Sequence, residues 1–146
     1  MRTFITAQRR RTPARRKACQ DRAMVSHDGI REIAFGLPGA FERPSYGGRP
    51  SWRTKTRMFA WVRDDPEALV VWVDSEAEKQ ALIAAEPGKF FTTPHYDGQP
   101  IVLVALDVVD AQEARELVTE SWRLRAPRSL VNEWDQAHAD RQTEGP

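Results

Sequence analysis

Cysteine is nearly absent from this sequence: Cys19 is the only one among 146 residues. A single chain can therefore form no internal disulfide, no CxxC redox pair and no cysteine-rich zinc site. The sequence also contains no run of about 18 apolar residues, the length that a membrane-spanning helix needs. These absences predict a cytoplasmic protein with no membrane partner.

Recognisable catalytic and cofactor motifs are missing too. The chain has no GxSxG nucleophile turn, no HExxH metal motif, no GxxxxGK[ST] phosphate loop and no GxGxxG dinucleotide turn. Its three histidines, His27, His95 and His138, are scattered along the sequence. We therefore expect a protein that is not an enzyme and that uses no cofactor or metal. An enzyme would need a pocket containing His95, Asp97 or Tyr46.

The composition is that of one globular domain with an uneven charge distribution. With 40% hydrophobic residues and five Trp, the chain can fill one packed core. Residues 1–23 contain eight basic residues and one acidic residue, a charge of +7. The remaining 14 basic and 20 acidic residues, over 24–146, give a charge of −6. An excess of acid weakens the case for binding to phosphate over the body of the chain.

Residues 1–23 form a basic leader that we expect to be disordered, because its like charges repel and little in it can pack. Three interpretations stay open: a targeting peptide, a phosphate-binding arm, or a start codon assigned too early, with Met24 as the true start. The domain itself is predicted over residues 24–140, followed by a polar tail at 141–146.

The order of patterns along the body predicts an α+β domain. Capping signals at Ser75 and Asp110 mark two helix starts, and runs of β-branched and aromatic residues mark the strands. The Gly- and Pro-rich segment 40–50 predicts a loop. In chain order we expect a helix (27–36), a three-strand meander (52–55, 58–63, 69–73), a helix from Ser75, a β-hairpin (90–93, 101–106) and two C-terminal helices (from Asp110 to Pro127, and 130–139), packed on one antiparallel sheet.

The segment WRTKTRMFAWVR, residues 52–63, mixes cations with large aromatic side chains. An unbroken strand would place both kinds on one face. A reversal near residues 55–57 resolves this conflict and gives a hairpin in which Phe59 and Trp61 point to the core while the cations crowd the bend.

Two basic clusters are the candidate nucleic-acid contacts, one on this hairpin and one near the end of the penultimate helix. Cations of this kind can pair with phosphates while an exposed aromatic ring stacks on a base. Two structural alternatives stay open: the strand cations keep an edge soluble, and the helix cations complement a helix dipole. The candidate residues are Arg53, Lys55, Arg57, Arg63, Arg123, Arg125 and Arg128.

Four stretches carry a resemblance to a known family. They are FGLPGAFE at 35–42, WRTKTRMFAWV at 52–62, FFTTPHYDGQPIVLVAL at 90–106 and ELVTESWRLRAPRSLV at 116–131. With the order of elements, they make the chain similar to the MmcQ/YjbR family over roughly residues 26–140. The resemblance implies a double-wing fold, likened to frataxin and secretion chaperones, and a DNA-binding role.

We therefore expect a non-enzymatic protein that binds DNA through a basic hairpin wing. The alternative is a chaperone-like or adaptor module that binds a protein or a small ligand, which the acidic body and several Trp favour. A continuous positive face on the folded domain would favour DNA, whereas a negative surface with an apolar groove would favour the adaptor.

Overall fold

The computed structural model describes residues 25–45, 48–64 and 67–144, with side chains as far as residue 140, so the basic leader at 1–23 lies outside the described residues. The predicted α+β class is confirmed. The helices are α1 (His27–Phe35), α2 (Glu76–Ala85), α3 (Ala111–Arg125) and α4 (Arg128–Glu144). The strands are β1 (Phe41–Pro44), β2 (Pro50–Arg53), β3 (Met58–Arg63), β4 (Ala68–Trp72), β5 (Phe90–Phe91) and β6 (Ile101–Val104), with a turn of 3-10 helix at Pro94–Tyr96.

The strands form one antiparallel sheet in the order β1-β2-β3-β4-β6-β5. The predicted meander is its centre, and the predicted hairpin joins it because β6 pairs with β4. Along β4, Leu69 and Val71 face the larger core, whereas Ala68 and Val70 face a smaller one on the opposite side, as the two-residue period of a strand requires. The larger core also takes buried side chains from α1, α3 and α4.

The edge strand β1 lies in the segment 40–50, so the prediction of a plain loop there was wrong. Residues Phe41–Pro44 pair with β2, and the Ser51 hydroxyl donates to the Arg43 carbonyl at 2.9 Å. The strand is mostly exposed, carries two charged residues and ends in proline, as protected edge strands often do. It therefore shows neither the alternation nor the composition by which a strand is recognised.

A β-bulge in β3 changes which face its aromatic residues occupy. Trp52 lies opposite Ala60 and Arg53 lies opposite Met58, so Phe59 is the extra residue. Phe59 and Ala60 are both fully buried in the larger core, whereas Trp61 is half-buried against the smaller core on the other face. The prediction that Phe59 and Trp61 share the core face was wrong, because a bulge interrupts the two-residue alternation.

Both predicted capping signals start helices. The Ser75 hydroxyl accepts the amide hydrogen of Glu78 at 3.1 Å, and the Asp110 carboxylate accepts that of Glu113 at 2.8 Å. Helix α4 continues to Glu144, past its predicted end near residue 139 and into the segment predicted as a polar tail. No helix within the described part of the chain is long and apolar enough to cross a membrane.

Helix α3 is fixed to the sheet by polar contacts near its C-terminal end. The buried Ser121 hydroxyl donates to the Phe59 carbonyl at 2.5 Å and accepts the Trp72 amide hydrogen at 2.8 Å. The indole of the buried Trp122 donates to the Pro38 carbonyl at 3.0 Å. The two bonds of Ser121 set the last turn of α3 beside the start of β3, and the bond of Trp122 joins α3 to the loop after α1.

Candidate nucleic-acid interface

The turn between β2 and β3 brings the cations of the opening basic segment into solvent. The amide of Thr54 donates to the Arg57 carbonyl at 2.9 Å, which closes a tight reversal at the predicted position. Thr54 is buried, whereas Lys55 and Arg57 are exposed and Arg53, at the end of β2, is half-buried. The bend therefore carries three positive side chains.

Arg125, at the end of α3, lies against this turn although it is far away in sequence. Its Nε donates to the carbonyl of Met58, the residue after Arg57, at 3.3 Å. Its guanidinium also lies 3.9 Å from the centre of the Trp72 ring, a cation–π contact. Burial lowers the pKa of the Arg125 guanidinium, and the positive charge of Arg57 lowers it further.

We call Arg53, Lys55, Arg57 and Arg125 the basic corner. Within residues 25–45, 48–64 and 67–140, none of these four side chains forms a salt bridge with a carboxylate. Two basic segments that are separate in sequence thus meet, and Arg57 comes close enough to Arg125 to lower its pKa. Repulsion between like charges this close favours an anion between them.

The other two arginines of the helical cluster have different surroundings. Arg123 forms ion pairs with Asp135 of α4 and, at 3.6 Å, with Glu120. These carboxylates compensate its charge, so Arg123 adds little to a positive field. Arg128 is exposed at the first residue of α4.

Arg63 is at the opposite end of β3 from the turn, roughly 17 Å away for five steps along a strand. Its Nε donates to the Asp64 carbonyl at 3.2 Å. The candidate residues predicted from the sequence therefore occupy two separate regions, with Arg63 apart from the basic corner.

A cleft of about 660 Å³ lies beside Arg63 and was not predicted. Among the described residues, Trp61, Tyr96 and His95 form its aromatic lining, and Arg49, Arg63 and Asp64 form its charged lining. Tyr96 contacts both neighbouring rings: the centroid distance is 4.8 Å to His95, edge to face, and 6.3 Å to Trp61. No local motif marks this cleft, because β3 and the 94–96 turn meet only in the folded chain.

The residues considered for catalysis are dispersed. His95 lines the cleft, whereas His27 lies 2.8 Å from Glu67, and His138 packs on the Trp134 ring at 4.0 Å. Tyr46 lies outside the described residues. In the part of the chain that the structure describes, no group of three or more His, Cys, Asp or Glu is placed to hold a metal ion.

Comparison with known proteins identifies the family. The family model named YjbR matches residues 35–124, from the end of α1 almost to the end of α3. The chain belongs to the YjbR family. Proteins of Mycobacterium bovis and Mycobacterium tuberculosis, each named only as an uncharacterized protein, are 38% identical to this YjbR protein over 125 residues. The match covers 74% of this chain and 94% of theirs.

A solved structure supports the same grouping. The crystal structure of the Deinococcus radiodurans protein DR2400, whose domain is described as DUF419, is similar to this YjbR protein with a TM-score of 0.59 and 27% sequence identity. The similarity covers 69% of this chain and 78% of that one. The implied family is therefore confirmed, and the function of the YjbR protein has to be argued from its own residues.

Proposed function

We propose that this YjbR protein is a non-enzymatic nucleic-acid-binding protein that contacts the phosphate backbone of DNA through the basic corner. The observation that carries the proposal is the convergence of the β2–β3 turn with the end of α3. It places Arg57 and Arg125 close enough to affect each other electrostatically, without a carboxylate bound to either among the described residues.

The chemistry of the basic corner suits phosphates better than bases. Guanidinium groups form strong, charge-assisted hydrogen bonds with phosphate oxygens. Of the aromatic residues near the turn, Trp52 and Phe59 are fully buried and Trp72 is covered by Arg125, whereas Phe41, opposite Arg53 on β1, is exposed and could stack on a base. Most contacts of the basic corner would therefore be with phosphates. Contacts of this type fix the orientation of a protein on DNA but carry no sequence information of their own.

The acidic remainder of the domain limits the strength of this interaction. Residues 24–146 carry a charge of −6, so phosphates are attracted to the corner and repelled by much of the other surface. Three or four phosphate contacts would give a slope of about −3 in a plot of log affinity against log salt concentration. We therefore expect weak, salt-sensitive binding.

The test is fluorescence anisotropy of a short labelled duplex, and of its single strand, titrated with the full chain at several salt concentrations. Replacing Arg57 by glutamine should reduce the salt slope by about 0.9, the effect of one lost phosphate contact. Arg115→Gln is the matched control, because Arg115 is also exposed but lies near the other end of α3. The triple variant Arg53→Gln, Lys55→Gln, Arg57→Gln should remove about 2.7 from the slope.

Equal slopes for Arg57→Gln and Arg115→Gln would reject the basic corner as the contact surface. Unchanged DNA binding by the triple variant would also reject the basic corner and would assign the binding to another part of the chain. No anisotropy change for the unmodified chain at low salt would reject DNA binding altogether.

The alternative of a protein-binding adaptor has less support. The large apolar side chains exposed within the described residues are Phe35, Phe41 and Val108. They belong to three different segments, the end of α1, the start of β1 and the loop before α3. Single exposed apolar residues are common and do not indicate a docking surface.

A further inference from the structure

We propose that the cleft beside β3 binds a small planar aromatic ligand that carries an anionic group, such as a phosphate or a carboxylate. The cleft lies at the opposite end of β3 from the basic corner, so this site is independent of the proposed DNA contact. Its volume of about 660 Å³ falls within the range of small-molecule sites in proteins.

The aromatic side of the cleft suits a flat ring. Trp61 is half-buried and presents part of its indole to the cleft, while Tyr96 is buried beside it at a centroid distance of 6.3 Å. His95 completes this side through its edge-to-face contact with Tyr96. A planar ligand could stack here, because such rings prefer offset or tilted neighbours at distances of about 4.5 to 7 Å.

The charged side of the cleft suits an anion. Arg49 and Arg63 supply two guanidinium groups, and Asp64 supplies one carboxylate, which pairs with Arg49. A guanidinium has five N–H donors, so Arg49 can hold an anionic group of a ligand as well as Asp64. Among the described residues that line the cleft, two arginines accompany one aspartate, so their summed charge is +1 although residues 24–146 as a whole are acidic.

A buried lysine stabilises the side of the cleft that is formed by the 94–96 turn. Lys79 of α2 is fully buried, and its ammonium group donates to the carbonyls of Tyr96 at 2.7 Å and Gln99 at 3.0 Å. The nearest described carboxylate oxygen in salt-bridge contact belongs to Glu76, 3.9 Å away. These bonds fix the turn that carries His95 and Tyr96, so the site is formed before a ligand arrives, which reduces the cost of binding.

The proposal can be tested by titrating the full chain with adenosine monophosphate, phenyl phosphate and benzoate, following the indole N–H resonance of Trp61 by NMR. At least one of these planar anions should shift that resonance in a saturable way. Adenosine has the planar ring without the anionic group, and inorganic phosphate is an anion without a ring, so both should bind more weakly than adenosine monophosphate. No saturable shift with any of the three anions would overturn the proposal.

Three variants locate the site. Trp61→Leu lacks the indole, so its binding is followed by the backbone amide resonance of Tyr96, which also lines the cleft; it should bind the anions about tenfold more weakly through the loss of stacking. Arg49→Gln should weaken the binding of the anions while leaving the binding of adenosine unaffected. Arg115→Gln, which changes an exposed arginine far from the cleft, should bind like the unmodified chain. Trp61→Leu also changes a half-buried residue, so its circular dichroism must match that of the parent. If Arg49→Gln weakens the binding of adenosine as much as the binding of the anions, the guanidinium does not hold the anionic group and the proposal fails.

Discussion

Replacing Ser121 by alanine should reduce the free energy of unfolding by about 2 to 6 kcal/mol, because each of two buried backbone groups would lose its partner at a cost of about 1 to 3 kcal/mol. Ser121 is fully buried. Its hydroxyl bridges the Phe59 carbonyl of β3 and the Trp72 amide of β4. A methyl group in its place can neither donate nor accept, and the surrounding core gives the two groups little access to water.

Urea unfolding followed by circular dichroism would measure this loss. With a slope of about 1 to 3 kcal/mol per molar urea, the midpoint should fall by at least about 0.7 M. Ser129→Ala is the matched control, because Ser129 is exposed on α4 and should change stability by less than about 0.5 kcal/mol. If Ser121→Ala behaved like this control, Ser121 would not be what fixes α3 to the sheet.

Two further predictions concern Glu42 and Gly39. Hydrogen bonding from Arg31 holds the pKa of the Glu42 carboxyl below its usual 4.5. The contribution of Glu42 to stability is therefore complete above pH 4.5 and is lost as the pH falls towards the folded-state pKa. Below pH 4.5 the thermal midpoint of Glu42→Gln should depend less on pH than that of the unmodified chain, and parallel plots of midpoint against pH for the two proteins would contradict this. Gly39→Ala should reduce the free energy of unfolding by about 1 to 2 kcal/mol, because Gly39 has a φ of +73° and an added Cβ would lie 2.7 Å from Leu130. Gly88→Ala is the control and should be close to neutral in the same urea assay, because an added Cβ there meets no described atom within 4 Å. Equal losses of stability in the two variants would refute the argument.

The sequence predicts well those features that are set by neighbouring residues. Ser75 and Asp110 start helices because a side-chain cap needs only the amide three residues ahead. The reversal before Met58 was predictable for a similar reason, since one unbroken strand over residues 52–63 would place cations and large aromatic side chains on the same face.

Features that depend on distant contacts could not be predicted in this way. The bulge at Phe59 arises from pairing with β2, and it turns Trp61 towards the opposite face of the sheet, where the cleft lies. Arg57 and Arg125 were candidates in separate clusters, and only the packing of α3 on β3 brings them together. Which arginines have their charge compensated by a carboxylate also depends on the fold, because Asp135 reaches Arg123 from another helix.

The two outer strands of the sheet affect how the protein behaves in concentrated solution. One border is β1, whose exposed residues include a charged arginine and a proline without an amide hydrogen, and the other is the two-residue β5. Neither border offers a long, flat row of unsatisfied backbone groups to a neighbouring molecule. We therefore expect the sheet to resist the edge-to-edge association that leads to fibrils.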